Sequence, residues 1–315
     1  MNGNGKKHSE LLKKKADEIC NLIMSPDSLW AQVQAKIDEL RSICEKMFPE
    51  NLKLFEKIYI SRFKKLWEEW KTPQQKSSLG KTIFDSMYQI GVILSYTQLQ
   101  KFELLIGLIQ EWSNKINITS IKNAKEIIED HFIDSCMPYR FFDDKQYAKV
   151  LDVGSGAGFP GIPLQIIFSS LKVTMLEAIK KKTKYLEIVK DKLILANCEI
   201  IAERAEILAR DSNHREKYDI VITRALAKLN TLLELCVPFL KLGGHLLAYK
   251  SKNVEIELKD AKNVFDILGA RLDNITETIL PNSLKKRKIL IIRKVKSTDL
   301  KYPRKNGIPQ KRPLK

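Results

Sequence analysis

The segment Lys149-Val-Leu-Asp152-Val-Gly154-Ser-Gly156-Ala-Gly158-Phe159-Pro-Gly161-Ile-Pro-Leu164 sets an acid and three alternating glycines at the end of an apolar run. Glycines lack the side chains that keep a ligand off the backbone, and a helix starting behind them offers free N–H groups. Nineteen residues beyond Gly158, Glu177 closes the next β-branched run, where a carboxylate can take both hydroxyls of a ribose. Asp152, Gly154, Gly156, Gly158 and Glu177 therefore predict a nucleoside pocket. Its cofactor is open to competition. Gly156-Ala-Gly158-Phe-Pro-Gly161 satisfies the GxGxxG dinucleotide pattern, yet Pro160 and Pro163 fall where that motif's helix must already pack, and proline suits only a first helical turn. A longer, more open loop with an acid before its first glycine favours S-adenosylmethionine (SAM) over NAD(P), with a purely structural turn as the third reading.

A SAM methyl transfers in line to a nucleophile and a neutral thioether leaves, so positioning and exclusion of water can carry the reaction. The acceptor decides what else is needed. Methylation of an exocyclic base amine usually employs an Asn/Asp-Pro-Pro-aromatic loop after the fourth strand, where this chain reads Thr223-Arg224-Ala225-Leu226. Carbon methylation of a pyrimidine requires a thiolate, and Cys198 and Cys236 read as small core residues. An acceptor with a lone pair already available, such as a purine ring nitrogen, remains, and no catalytic base is assigned. Arg224, expected at the carboxyl end of a strand, can pair with a ligand carboxylate or an RNA phosphate, or form an ordinary ion pair. His131 and Asp134 are read as a polar cluster shaping the substrate mouth, against a structural role. Glu206, better placed than Glu203, can reach an adenine ring or serve as a solvated carboxylate at a helix start. No set of ligands with metal spacing forms.

These side chains need a scaffold. Runs at 149–153, 172–177, 198–203, 218–223 and 245–250 alternate with helix-length segments, which predicts βαβ units and a parallel sheet covered on both faces. Runs at 275–281 and 288–295 are close enough to pair as an edge hairpin. The expected fold is a Rossmann-like open α/β sheet of seven strands, of the class I SAM-dependent methyltransferase type. Residues 1–90 read as helical throughout, with Ile19, Leu22, Ile23 and then Val33, Ile37, Leu40 at helical spacing. A linker is expected in Lys71–Gly80, which divides the chain into a helical extension, 1–90, and a catalytic domain, 91–315.

The chain has 315 residues and a formal net charge of +17, so polyanions lead the list of partners. Residues 285–315 alone hold thirteen Lys/Arg against Asp299, a stretch expected to run extended over a surface and bind phosphates by counterion release. Five scattered cysteines without a CxxC pair fit reduced thiols. No long apolar run suggests a signal or a membrane span, and a soluble cytoplasmic protein is expected.

The segments Trp112–Ser120, His131–Ser135, Leu151–Leu164, Arg204-Ala205-Glu206, Thr223-Arg224-Ala225 and Lys301–Pro309 together resemble the bacterial 16S rRNA guanine-N7 methyltransferase family (RsmG, or GidB) over about residues 95–315. The resemblance implies methyl transfer from SAM to N7 of a guanosine in small-subunit rRNA, with the small ribosomal subunit as partner. It places SAM contacts on Gly154, Phe159, Ala205, Glu206 and Arg224. Guanine N7 carries a free lone pair, which agrees with the absence of an assigned base. A non-catalytic RNA-binding or assembly factor on a SAM fold is the rival reading, and residues 1–90 have no counterpart in the family.

Overall fold

The computed structural model describes residues 3–24, 28, 30–49, 52–71, 78–143, 145, 148–250 and 254–315. Residues 72–77 of the expected linker lie outside the described residues. The chain forms two compact units: Met1–Ser77 with Ser95–Thr97, and Ser78–Leu94 with Gln98–Lys315. The helix Ser78–Gln89, within the expected extension, groups with the second unit.

In the first unit, helices Gly3–Met24 and Trp30–Met47 pack on each other, and Gly3–Met24 packs also on Ser61–Lys71. Ile19, Ile23, Val33, Ile37, Leu40 and Phe63 are buried, the residues that recur at helical spacing, while Lys15 reaches across to Glu39 at 2.9 Å.

The second unit is built on a sheet of order β3-β2-β1-β4-β5-β7-β6. The strands are β1 (Lys149–Val153), β2 (Lys172–Leu176), β3 (Cys198–Ile201), β4 (Tyr218–Arg224), β5 (Leu240–Lys250), β6 (Ala270–Ile279) and β7 (Lys286–Lys294). β1 to β5 pair in parallel, and β7 inserts antiparallel between β5 and β6. β1 and β2 are buried after their first residue, as continuous apolar strands inside a two-faced parallel sheet must be. The edge strand β6 instead carries exposed polar residues that block further pairing. β5 starts at Leu240, before the expected His245: Tyr218 pairs with Leu240 but Ile220 with His245, so Lys241–Gly244 bulge out. Helices such as Lys180–Lys192 turn Tyr185, Leu186 and Val189 inward and keep lysines outside. The strand order reverses between β1 and β4, the switch point at which such sheets leave a crevice beyond the carboxyl ends.

Candidate functional site

β1 runs straight into the glycine bend. Gly154, Gly156 and Gly158 have φ of +74°, +58° and +89°, a region that other residues enter only with strain. The three serve different ends. A Cβ on Gly158 would lie 2.1 Å from Ile162 Cδ1, and one on Gly154 2.7 Å from Leu226 Cδ1. At Gly156 a Cβ would meet, among the described residues, nothing nearer than Gly154 O at 3.9 Å, so it would project into the open crevice. Glu177, almost fully buried at the end of β2, accepts the Gly156 N–H at Oε2 (2.9 Å) and the Ile179 N–H at Oε1 (2.8 Å). Bare backbone beside a fixed carboxylate fits a nucleoside-bearing cofactor.

Asp152 works inside the loop. It is wholly buried and accepts the Gly161 N–H at Oδ2 (3.0 Å), a contact so close that a Cβ on Gly161 would sit 2.7 Å from the same oxygen. Oδ1 has no partner among the described residues. Burial pushes the carboxyl up to about 7 against the Gly161 hydrogen bond. Asp152, expected among the residues of the nucleoside pocket, fastens the bend to the first turn of helix Gly161–Ile167. That helix carries Pro163 in its opening turn, where proline is tolerated.

Phe159 connects the bend to a second group of residues. Its ring stacks on His131 at 4.3 Å and 16°, and the Arg224 guanidinium lies over it at 5.2 Å. Arg224 closes β4 and donates to Asp130 O (2.7 Å), Asp134 Oδ2 (3.1 Å) and His131 Nδ1 (2.9 Å). Arginine only donates, so His131 Nδ1 accepts and its Nε2–H must donate to Thr119 Oγ1 at 2.9 Å. Burial and then the adjacent Arg224 lower the imidazole to about 3, which keeps it neutral at physiological pH. The residue after Arg224, Ala225, has φ +55°, a strained turn at the strand's end.

Beyond this stack opens a cavity of about 960 Å³ at the carboxyl ends of β4 and β5. Asp130, His131, Asp134, Arg224, Lys250 and Arg287 are among the residues lining it. Lys285 donates to both carboxylate oxygens of Asp130 (2.8 and 2.7 Å), and Arg287 bridges Asp130 and Asp134 (3.2 and 3.1 Å). The sequence reading counted Lys285 and Arg287 only as tail charge. Lys285 precedes β7 and Arg287 lies within it, both ahead of the run expected at 288–295, so only the folded hairpin sets them beside Asp130.

Glu206 is buried on the other flank, at the start of the short helix Ala205–Leu208, and its Oε1 accepts the Gly307 N–H at 2.9 Å. It joins the C-terminal segment, which differs from expectation in two ways. First, that segment is docked rather than merely lying across a surface: Arg304 makes a two-point pair with the fully buried Glu234 (2.9 and 2.7 Å), Thr231 donates to Pro309 O, and Ile308–Lys311 forms a helical turn. Second, much of its charge is spent internally. Lys294 is buried against Glu216 (2.8 Å), Arg293 pairs with Asp273, and Lys288 pairs with Glu255 and Glu277. Lys286, Lys305, Lys311 and Arg312 remain exposed and make no ion pair among the described residues. All five cysteines are buried and free, and the described residues contain no group of three metal-binding side chains and no helix long and apolar enough to cross a membrane.

A 3-2-1-4-5-7-6 sheet whose first strand ends in a glycine bend and whose second ends in a carboxylate defines a Rossmann-like SAM-dependent methyltransferase. Residues 98–289 match the family GidB, rRNA small subunit methyltransferase G. The chain belongs to that family and is an rRNA methyltransferase. The ribosomal RNA small subunit methyltransferase G of Acetivibrio thermocellus is 42% identical over 241 residues, spanning 76% of this chain and 99% of the relative. Its Bacillus subtilis counterpart is 42% identical over 224 residues, spanning 71% and 94%. Among solved structures, a SAM-dependent methyltransferase from Aquifex aeolicus overlaps 54% of this chain and 93% of its own, at 18% identity and a TM-score of 0.42, a likeness too loose to bear an argument.

Proposed function

We propose that the chain methylates N7 of a guanosine in 16S rRNA, acting on the small ribosomal subunit in the bacterial cytoplasm. The coarser activity, SAM-dependent methylation of small-subunit rRNA, follows from family membership. The observation that supports N7 is the state of the acids and bases around the cavity. His131 is neutral and bonded at both nitrogens, Asp130 and Asp134 are paired with Lys285, Arg287 and Arg224, and Glu257 is held by Lys250 at 2.6 Å. An exocyclic amine or a hydroxyl acceptor must lose a proton; a purine ring nitrogen with a free lone pair need not.

In this reading Gly154, Gly156 and Gly158 offer the backbone surface for the cofactor and Glu177 the acceptors for its ribose. Ala205 and Glu206 flank the base, and Phe159 and Arg224 form the partition between cofactor and substrate. Bound SAM supplies an electrophilic methyl on a sulfonium that leaves as a neutral thioether. Asp152 fixes the bend, and His131 and Asp134 orient Arg224. None of these side chains moves a proton. The unit of Ser78–Leu94 and Gln98–Lys315 carries the activity, and the helical unit built on Met1–Ser77 is a module added to it.

Incubation of unmodified small subunits with the protein and SAM, followed by mass spectrometry of the nucleosides, tests the proposal. One 7-methylguanosine per subunit is expected. Methyl on an amine or a ribose would overturn N7 specificity, and RNA binding without any transfer would favour a non-catalytic assembly factor.

A further inference from the structure

Glu129 takes no part in the chemistry described so far. It stands on the π-helical turn Ile128–Ile133, one residue before Asp130, is 6% exposed, and is absent from the cavity wall. Its carboxylate nevertheless takes four hydrogen bonds from the turn joining β6 to β7. Oε1 accepts the Asn282 N–H (3.0 Å), the Ser283 N–H (3.0 Å) and the Ser283 hydroxyl (3.1 Å), and Oε2 accepts Asn282 Nδ2 (2.8 Å). Burial works against the charge, and the bonds from Ser283 and Asn282 outweigh it, so the carboxyl titrates below its ordinary range. A carboxylate satisfied in this way fixes a loop more firmly than apolar contact does, because each bond is directional and charge-assisted.

The fixed turn leads directly into the cationic wall. Leu284 follows Ser283 at φ +54°, an uncommon backbone state for leucine that persists where its neighbours over-determine it. Lys285, Lys286 and Arg287 come next and all line the cavity. From them a chain of alternating charge, Lys285–Asp130–Arg287–Asp134–Arg224, ends on the guanidinium that lies over Phe159.

We propose that Glu129 is a positioning residue for RNA: by clamping Asn282 and Ser283 it sets where Lys285, Lys286 and Arg287 stand around the cavity, and so governs RNA engagement while leaving cofactor binding alone. The proposal rests on the reading of the cavity as the RNA side of the site. Glu129→Gln keeps the Oε1 acceptor but removes the charge that strengthens all four bonds, and Asn282 must turn its amide over to meet the new N–H. The KM for small subunits and the Kd for a 16S rRNA fragment, measured by fluorescence anisotropy, are expected to rise about tenfold, with SAM affinity and Tm little changed. Glu129→Gln combined with Asn282→Asp returns a carboxylate to the contact, now accepting the glutamine N–H, and is expected to recover most of the RNA affinity. Asn282→Ala, which alters the exposed turn rather than the buried acid, is expected to shift RNA affinity the same way by less.

Unchanged RNA affinity in Glu129→Gln, a parallel loss of SAM affinity, or failure of the double variant to recover would each overturn the clamp. The anisotropy measurement needs no methyl transfer. Wild-type protein that binds RNA but transfers nothing would therefore strike the functional reading and leave the clamp to be judged on binding.

Discussion

The two halves of the site are built by opposite means. The glycine bend is made from contiguous chain, its shape set by backbone torsions and one buried acid nine residues from its partner Gly161. The cavity beside it is made of charged side chains brought together across more than 150 residues, as in Arg287 on Asp134 and Lys285 on Asp130. A bend of the first kind tolerates almost no change in its own residues. A wall of the second kind tolerates substitution at single positions but depends on the register of a distant hairpin. Cofactor binding should accordingly fail abruptly on mutation, and RNA binding by degrees.

The sharpest attack on this contrast is Gly158→Val. With φ +89° and a Cβ placed 2.1 Å from Ile162 Cδ1, the variant is expected to lose about 3 kcal/mol of stability and all measurable SAM binding, read by urea denaturation and calorimetry. Asp152→Asn separates shape from charge within the same bend. The folded carboxyl titrates near 7 rather than at its ordinary 3.8, so its contribution to stability is complete below about pH 4 and is lost as pH rises through 7. The asparagine variant can still accept the Gly161 N–H, and its urea midpoints are expected to decline less between pH 4 and 7 than those of wild type. Lys286→Ala should have the smallest effect. It removes one exposed cation from the cavity wall and should reduce the salt slope of RNA binding by about one, with SAM affinity unchanged.

The same contrast explains what could be read from the chain alone. The strands, their alternation with helices, the edge hairpin and the glycine bend all depend on local pattern, and the structure has each of them. Asp152 was visible as an acid at the right place, but that it accepts the Gly161 N–H depends on how the loop folds back. His131, Asp134 and Arg224 were each singled out, yet their mutual bonds and the stack on Phe159 span up to 93 residues. Glu129, Glu234 and Lys294 carried no signal, because a single charged residue in a helix or strand reads as solvated until its buried partner is known. The excess of positive charge was countable, but its internal pairing was not.

The docking of residues 304–314 bears on how the protein is made. Among the described residues Glu234 is paired only with Arg304, and Glu206 meets the Gly307 amide, while Asn230 donates to Leu314 O. Both acids emerge from the translating ribosome some seventy to one hundred residues ahead of these partners. Throughout that interval Glu206 and Glu234 lack the partners that bind them in the folded chain, so this flank of the unit can close only after translation has passed residue 307.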